Sequence, residues 1–147
     1  MEGGPSPILL VEDNEDHAEI TLFTLEENEV ENPVHWVKDG QEALDYLFNQ
    51  GAYADTDKYQ TPGLILLDLK LPKLDGLEVL ERIKAEKGLK CVPVVMLTTS
   101  NREEEVLRSY DLGVNSYVTK PVQFEELTGK LTHIVSFWLA TNTPPPR

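Results

Sequence analysis

The chain has 147 residues, with 26 acidic side chains against 13 basic ones and a net charge of −13. At 40% hydrophobic it is too apolar for a disordered acidic chain, and its length suits a single domain with a real core. The charge argues against nucleic acid or an anionic membrane as a direct partner, no apolar stretch approaches the roughly 20 residues of a membrane helix, and the lone Cys91 excludes an internal disulfide. The opening MEGGPSP is not a secretion signal. These features predict a cytoplasmic protein of one domain over residues 1–147, with a core over about 7–141, a short flexible N-terminus and a Pro-rich C-terminal tail.

In chain order, the first apolar run is Ile8-Leu9-Leu10-Val11, followed by Glu12-Asp13-Asn14. Val34 to Val37 is the second run. Asp39-Gly40-Gln41-Glu42 has capping-box spacing and opens a helix carrying Ala43, Leu44, Leu47 and Phe48. Gly51 to Gly63 reads as a long surface loop. The third run, Leu64-Ile65-Leu66-Leu67, ends in Asp68, and Leu77, Leu80 and Ile83 form a helical stripe after it. Val94-Val95-Met96-Leu97 runs into Thr98-Thr99-Ser100, where Ser100-Asn101-Arg102-Glu103 again has capping-box spacing. That helix carries Val106, Leu107 and Tyr110 and stops at Gly113. Ser116-Tyr117-Val118-Thr119 precedes Lys120-Pro121, and a last helix shows Phe124, Leu127, Leu131, Ile134 or Val135, and Trp138.

Runs that are apolar at every position fit strands covered on both faces, as in a parallel sheet. Strand and helix alternate five times, which predicts an α/β fold: a doubly wound, five-stranded parallel sheet with helices on both faces.

In such a sheet the strand C-termini share one edge, where ligands bind. Glu12, Asp13, Asp68, Thr98 and Lys120 all fall at that edge. Asp13 and Asn14 alone read equally well as a helix cap or turn; four suitable strand ends together carry the chemical reading. Three neighbouring carboxylates repel one another and call for a cation, and their hard oxygens suit Mg²⁺. Lys120 supplies a fixed counter-charge for Asp68 or for an incoming phosphoryl oxygen, and Thr98 a small donor. That set suits phosphoryl transfer, with Asp68 as nucleophile.

These residues resemble the receiver domain of two-component response regulators over nearly the whole chain, from Ile8 to the last helix. The resemblance rests on Leu10-Val11-Glu12-Asp13-Asn14, Leu66 to Pro72 with Asp75-Gly76, Met96 to Ser100, and Tyr117 to Pro121. It implies a flavodoxin-like strand order 2-1-3-4-5. It also implies that Asp68 is phosphorylated by a sensor histidine kinase with Mg²⁺. Asp13 would be a direct metal ligand, Glu12 would act through water, and the backbone carbonyl of Lys70 would complete the set with Asp68. Thr98 and Tyr117 would form a switch pair, and Lys120-Pro121 would carry a cis peptide bond. The protein would catalyse only its own phosphorylation and slow dephosphorylation.

The long loop and Phe137-Trp138-Leu139 resemble the stand-alone regulators that serve phytochrome kinases, which makes a bacteriophytochrome the expected kinase. With no output domain after the last helix, output is expected through protein contacts or phosphorelay. Self-association is expected through the fourth helix, fifth strand and last helix.

Other readings stay beside these. Tyr117 by residue type is a half-buried packing residue, Lys70 a solvated cation and Ser100 a helix cap. His17, His35 and His133 show no metal or triad spacing and read as surface or partly packed, and Cys91 as structurally neutral. Glu103-Glu104-Glu105 reads as a favourable charge run in a first helical turn. A haloacid-dehalogenase-like phosphatase would need a second Asp where Lys70 stands, and a flavin binder would not place Glu12-Asp13 in its phosphate loop. A module that keeps the fold without phosphorylation is the third alternative.

Overall fold

The computed structural model describes residues 5–145. Five strands, β1 (Ile8–Val11), β2 (Val34–Val37), β3 (Leu64–Leu67), β4 (Val94–Thr98) and β5 (Ser116–Thr119), form one parallel sheet in the order β2-β1-β3-β4-β5. The helices are α1 (Glu15–Glu27), α2 (Gly40–Leu47), α3 (Gly76–Ala85), α4 (Glu103–Asp111) and α5 (Phe124–Val135). Fold class and strand order are as the sequence predicts.

Side chains alternate across a strand, so each apolar run feeds two cores. Leu9, Val11, Ile65, Leu67, Val94 and Met96 face α2 and α3, packing on Leu44, Leu80 and Ile83. Ile8, Leu10, Leu64, Leu66, Val95 and Leu97 face α1 and α5, packing on Ala18, Leu25, Leu127 and Leu131. Both faces of the three central strands are thus dry. Backbone pairing across the sheet holds the strand ends in register: Val11 lies beside both Val37 and Leu67, and Thr98 beside Thr119.

Local signals open most helices. Asn14 Oδ1 accepts from His17 N at 3.0 Å, and Asp75 Oδ1 from Glu78 N at 3.1 Å. Asp39 Oδ1 accepts from Glu42 N at 2.7 Å, as the capping box requires, while Glu42 reaches one residue further back, to Lys38 N at 3.0 Å. The second predicted box does not form. Arg102 is extended (ψ 131°) and stands at the cap position without a side-chain bond, so α4 starts at Glu103. The Ser100 hydroxyl donates to the Glu105 carboxylate and accepts from Arg102 N at a long 3.5 Å. Gly113, at φ 101°, follows the end of α4 as expected.

Gly51 to Gly63 is a surface segment, but a well-anchored one. It contains a 3₁₀ turn (Gly51–Tyr53), and its Tyr53 and Tyr59 rings pack at 4.8 Å against each other and on Tyr46 and His35. Asn49 Nδ2 donates to the carbonyls of both Tyr53 and Tyr59 at 3.0 Å. The last helix runs on through a π-helical stretch, Ser136–Thr141, in which Phe137 and Trp138 meet edge to face. Along its predicted stripe Leu127, Leu131, Ile134 and Val135 are buried, whereas Phe124 is half exposed. The flexible N-terminus and the tail fall partly on residues 1–4 and 146–147, outside the described residues. Pro144 and Pro145 line a small pocket with Pro62, Cys91 and Pro93. No helix among the described residues is long and apolar enough to cross a membrane.

Candidate functional site

The β1, β3 and β5 ends bring Glu12, Asp68 and Lys120 together beneath a polar cleft at the C-terminal edge of the sheet. All three are buried, while Asp13 beside them is exposed. One oxygen each from Glu12, Asp13 and Asp68 lies within 4.8 Å of the others. Such a set of hard oxygens fits a small divalent cation with water completing its shell.

The Lys120 ammonium has three donors and three partners. It pairs with Glu12 Oε1, donates to Asp68 Oδ2 at 3.3 Å, and lies 3.0 Å from His17 Nδ1. Burial pushes the Glu12 carboxyl up to about 7, against the pull of Lys120 and with the help of the Asp68 charge. A carboxylate in that position is short of positive charge, and a divalent cation would supply it. Glu12 is further held by Asn14 N, which donates to Oε2 at 3.1 Å, and the Trp36 indole donates to its carbonyl at 2.7 Å.

The loop after β3 is set by close backbone contact. Gly76 N donates to Leu69 O at 2.7 Å, and a Cβ on Gly76 would fall 2.2 Å from Asp68 O. Lys70 N makes a long contact, 3.4 Å, to Asp68 Oδ1. The Lys70 side chain turns away, to Glu105 Oε2 at 2.6 Å.

Thr98 is buried at the end of β4. Its hydroxyl accepts from Ser100 N at 3.4 Å, and the neighbouring Thr99 lines the cleft. Tyr117 is half-buried, and its hydroxyl donates to Ser100 O at 2.9 Å. Burial raises its phenol above the ordinary value. Hydrogen bonds from Lys70 and Ser100 hold the Glu105 carboxyl below the usual carboxylate range.

Three expectations need correction or addition. The Lys120–Pro121 bond is trans, as are all described peptide bonds. The ordinary preference for trans suffices, since Lys120 reaches both carboxylates from it. Ser100 is not the helix cap, because α4 starts at Glu103 with Arg102 at the cap position; the Ser100 hydroxyl donates to Glu105 and accepts only a long 3.5 Å contact from Arg102 N. His17, read as a surface or partly packed residue, lines the cleft against Lys120.

Comparison with known proteins agrees with this geometry. The family model "Response regulator receiver domain" matches residues 8–132. The chain is 42% identical over 142 residues to the probable methanogenesis regulatory protein FilR2 of Methanothrix harundinacea, covering 96% of this chain and 88% of that one. It is 43% identical over 141 residues to response regulator Rcp1 of Synechocystis, covering 96% and 94%. The crystal structure of the Mn²⁺-bound form of Rcp1 superposes with a TM-score of 0.90 over 97% of this chain and 100% of that one, at 42% identity. The phosphorylated cyanobacterial phytochrome response regulator RcpA gives 0.91 over the same shares, at 43% identity. The protein therefore belongs to the response regulator receiver domain family. The phosphatase and flavin-binder alternatives describe other families.

Proposed function

We propose that the protein is a phosphoacceptor of a two-component system, working in the cytoplasm as one domain with its core over about residues 7–141. In this reading a sensor histidine kinase presents a phosphohistidine to the cleft. An Asp68 oxygen attacks phosphorus, the phosphorus–nitrogen bond breaks, and imidazole leaves as an acyl phosphate forms. Lys120 offsets the charge on Asp68 before transfer and on the phosphoryl oxygens after it.

Asp13, Asp68, the Lys70 carbonyl and Glu12 through water would hold Mg²⁺, which neutralises charge on the transferring group when bound. Thr98 would then turn its hydroxyl to the phosphoryl group and Tyr117 would swing inward behind it, giving up its bond to Ser100. Turnover would be limited to the protein's own phosphorylation and slow dephosphorylation.

The observation that carries this reading is the Lys120 ammonium between Glu12 and Asp68 at the rim of a three-carboxylate cluster. Intact-mass analysis after incubation with acetyl phosphate and Mg²⁺ tests it. The expected result is uptake of one phosphoryl group by the wild type and none by Asp68→Asn; equal labelling of the variant would overturn the assignment.

The likeness to RcpA, a cyanobacterial phytochrome response regulator, supports a phytochrome as the kinase, and a bacteriophytochrome is the one proposed here. Output would pass through protein contacts or phosphorelay, without nucleic acid or membrane as direct partner, in keeping with the charge of −13. Exposed Leu107 and Tyr110 on α4, Val122 just before α5 and Phe124 at its start support self-association through α4, β5 and α5. Sedimentation with and without beryllofluoride tests that surface, and an unchanging monomer would count against it.

A further inference from the structure

We infer that His17 is a positioning residue for phosphoryl transfer, its Nδ1 accepting a hydrogen bond from Lys120 and holding that buried ammonium on the cleft side, beside Asp68. This inference rests on the phosphoacceptor reading of Asp68.

A lysine ammonium donates and never accepts, so at 3.0 Å the Nδ1 of His17 is the acceptor and the ring is neutral, with its proton on Nε2. Burial, then the Lys120 charge, lowers the readiness of the ring to protonate, in keeping with that state. The placement follows from the fold. Asn14 caps α1 by accepting from His17 N, which fixes the first turn over the β1 end, while Lys120 arrives from β5 on the far side of β3 and β4.

The residue type matters as much as the place. Glu12, Asp13 and Asp68 already crowd the cleft with negative charge, and Glu15 and Asp16 line it too. A carboxylate at position 17 would compete with Asp68 for the ammonium and deepen the repulsion felt by an incoming phosphoryl group. A neutral imidazole takes up the third donor of Lys120 without adding charge. Without it, the ammonium has only Glu12 and Asp68 as partners and settles deeper, away from where phosphoryl oxygens arrive. His17 stands outside the metal-ligand set, since the ligand atoms that cluster within 4.8 Å are oxygens of Glu12, Asp13 and Asp68, without a His17 nitrogen.

The test is a double-mutant cycle on the rate of phosphoryl uptake from acetyl phosphate, followed by intact mass. His17→Leu is expected to lower the maximal rate about tenfold with the half-saturating Mg²⁺ unchanged, and His17→Gln, which keeps an acceptor, to stay within about threefold of wild type. In a Lys120→Met background, His17→Leu is expected to have no further effect. A wild-type rate in His17→Leu, an equal loss in His17→Gln, or a loss that persists without Lys120 would each overturn the inference. Absence of labelling in the wild type would instead overturn the role of Asp68. In that event the ¹⁵N shifts of His17 decide the contact on their own: an unprotonated Nδ1 supports it, and a protonated one overturns it.

Discussion

The Tyr117 hydroxyl donates to the backbone carbonyl of Ser100 at 2.9 Å, which ties β5 to the loop that leads into α4. The Ser100 side chain bonds Glu105, and Glu105 in turn receives Lys70, two residues from Asp68. A continuous polar path therefore joins the proposed switch tyrosine to the loop that carries the phosphoacceptor. Removing one hydroxyl tests its first link. Tyr117→Phe is expected to lower unfolding stability by about 1 kcal/mol, read by urea titration, with the ring still packed on the core.

The middle of that path is sensitive to acid. Because the folded-state Glu105 carboxyl is lowered, its contribution is fully present above the unfolded value and is lost as pH falls through the folded value. The wild type should therefore melt above Glu105→Gln at neutral pH, and the gap should narrow as pH falls below the usual carboxylate range. Lys70 is largely exposed, so the gap is small and should shrink with salt as well. Calorimetry of both proteins across pH measures it; a gap that widened in acid would contradict the assignment.

Gly76 is the tightest steric constraint near the site. A methyl group there would sit 2.2 Å from Asp68 O and 2.8 Å from Leu69 Cα, both backbone atoms that cannot rotate aside. Gly76→Ala is expected to cost about 3 kcal/mol, the upper part of the range for overpacking, and to slow phosphoryl uptake by displacing the Asp68 backbone. Urea unfolding alongside the labelling assay checks both.

The Trp36 indole, bonded to the Glu12 carbonyl, offers a fluorescent report on the cation site. Mg²⁺ titration should change the emission of the wild type, and Asp13→Asn should weaken the apparent affinity about 10- to 100-fold, the scale of losing a metal-site partner. A Trp36→Phe control isolates any contribution of Trp138, the second tryptophan of the chain. An unchanged affinity in Asp13→Asn would remove Asp13 from the ligand set.

Much of this was legible in sequence because the central strands are apolar at every position; any one such run could also be a buried helix segment, but their brief length and polar flanks fit a two-faced parallel core. Their polar ends then identified Glu12, Asp68 and Lys120 without any contact information. The first helix left no comparable stripe, since two of its four buried residues are Thr21 and Thr24, whose hydroxyls return to His17 O and Ile20 O at 2.8 Å. Ser100 matched a capping spacing, yet the chain stays extended to Arg102 and α4 starts one residue past it, which leaves the Ser100 hydroxyl to donate to Glu105 in the first turn. Glu105 itself was hidden in a run of three glutamates, of which this one meets Lys70 across the loop. His17 lacked a signal for a different reason: its partner lies 103 residues away, and only strand order brings them together.

The central claim is that the buried carboxylate at the end of β3 becomes the acyl phosphate. Borohydride reduction of the phosphorylated protein, followed by peptide mapping, locates that group directly by converting the modified aspartate to homoserine. Homoserine is expected at position 68, in samples given both Mg²⁺ and a phosphoryl donor. Conversion at another carboxylate, or at none, would contradict it.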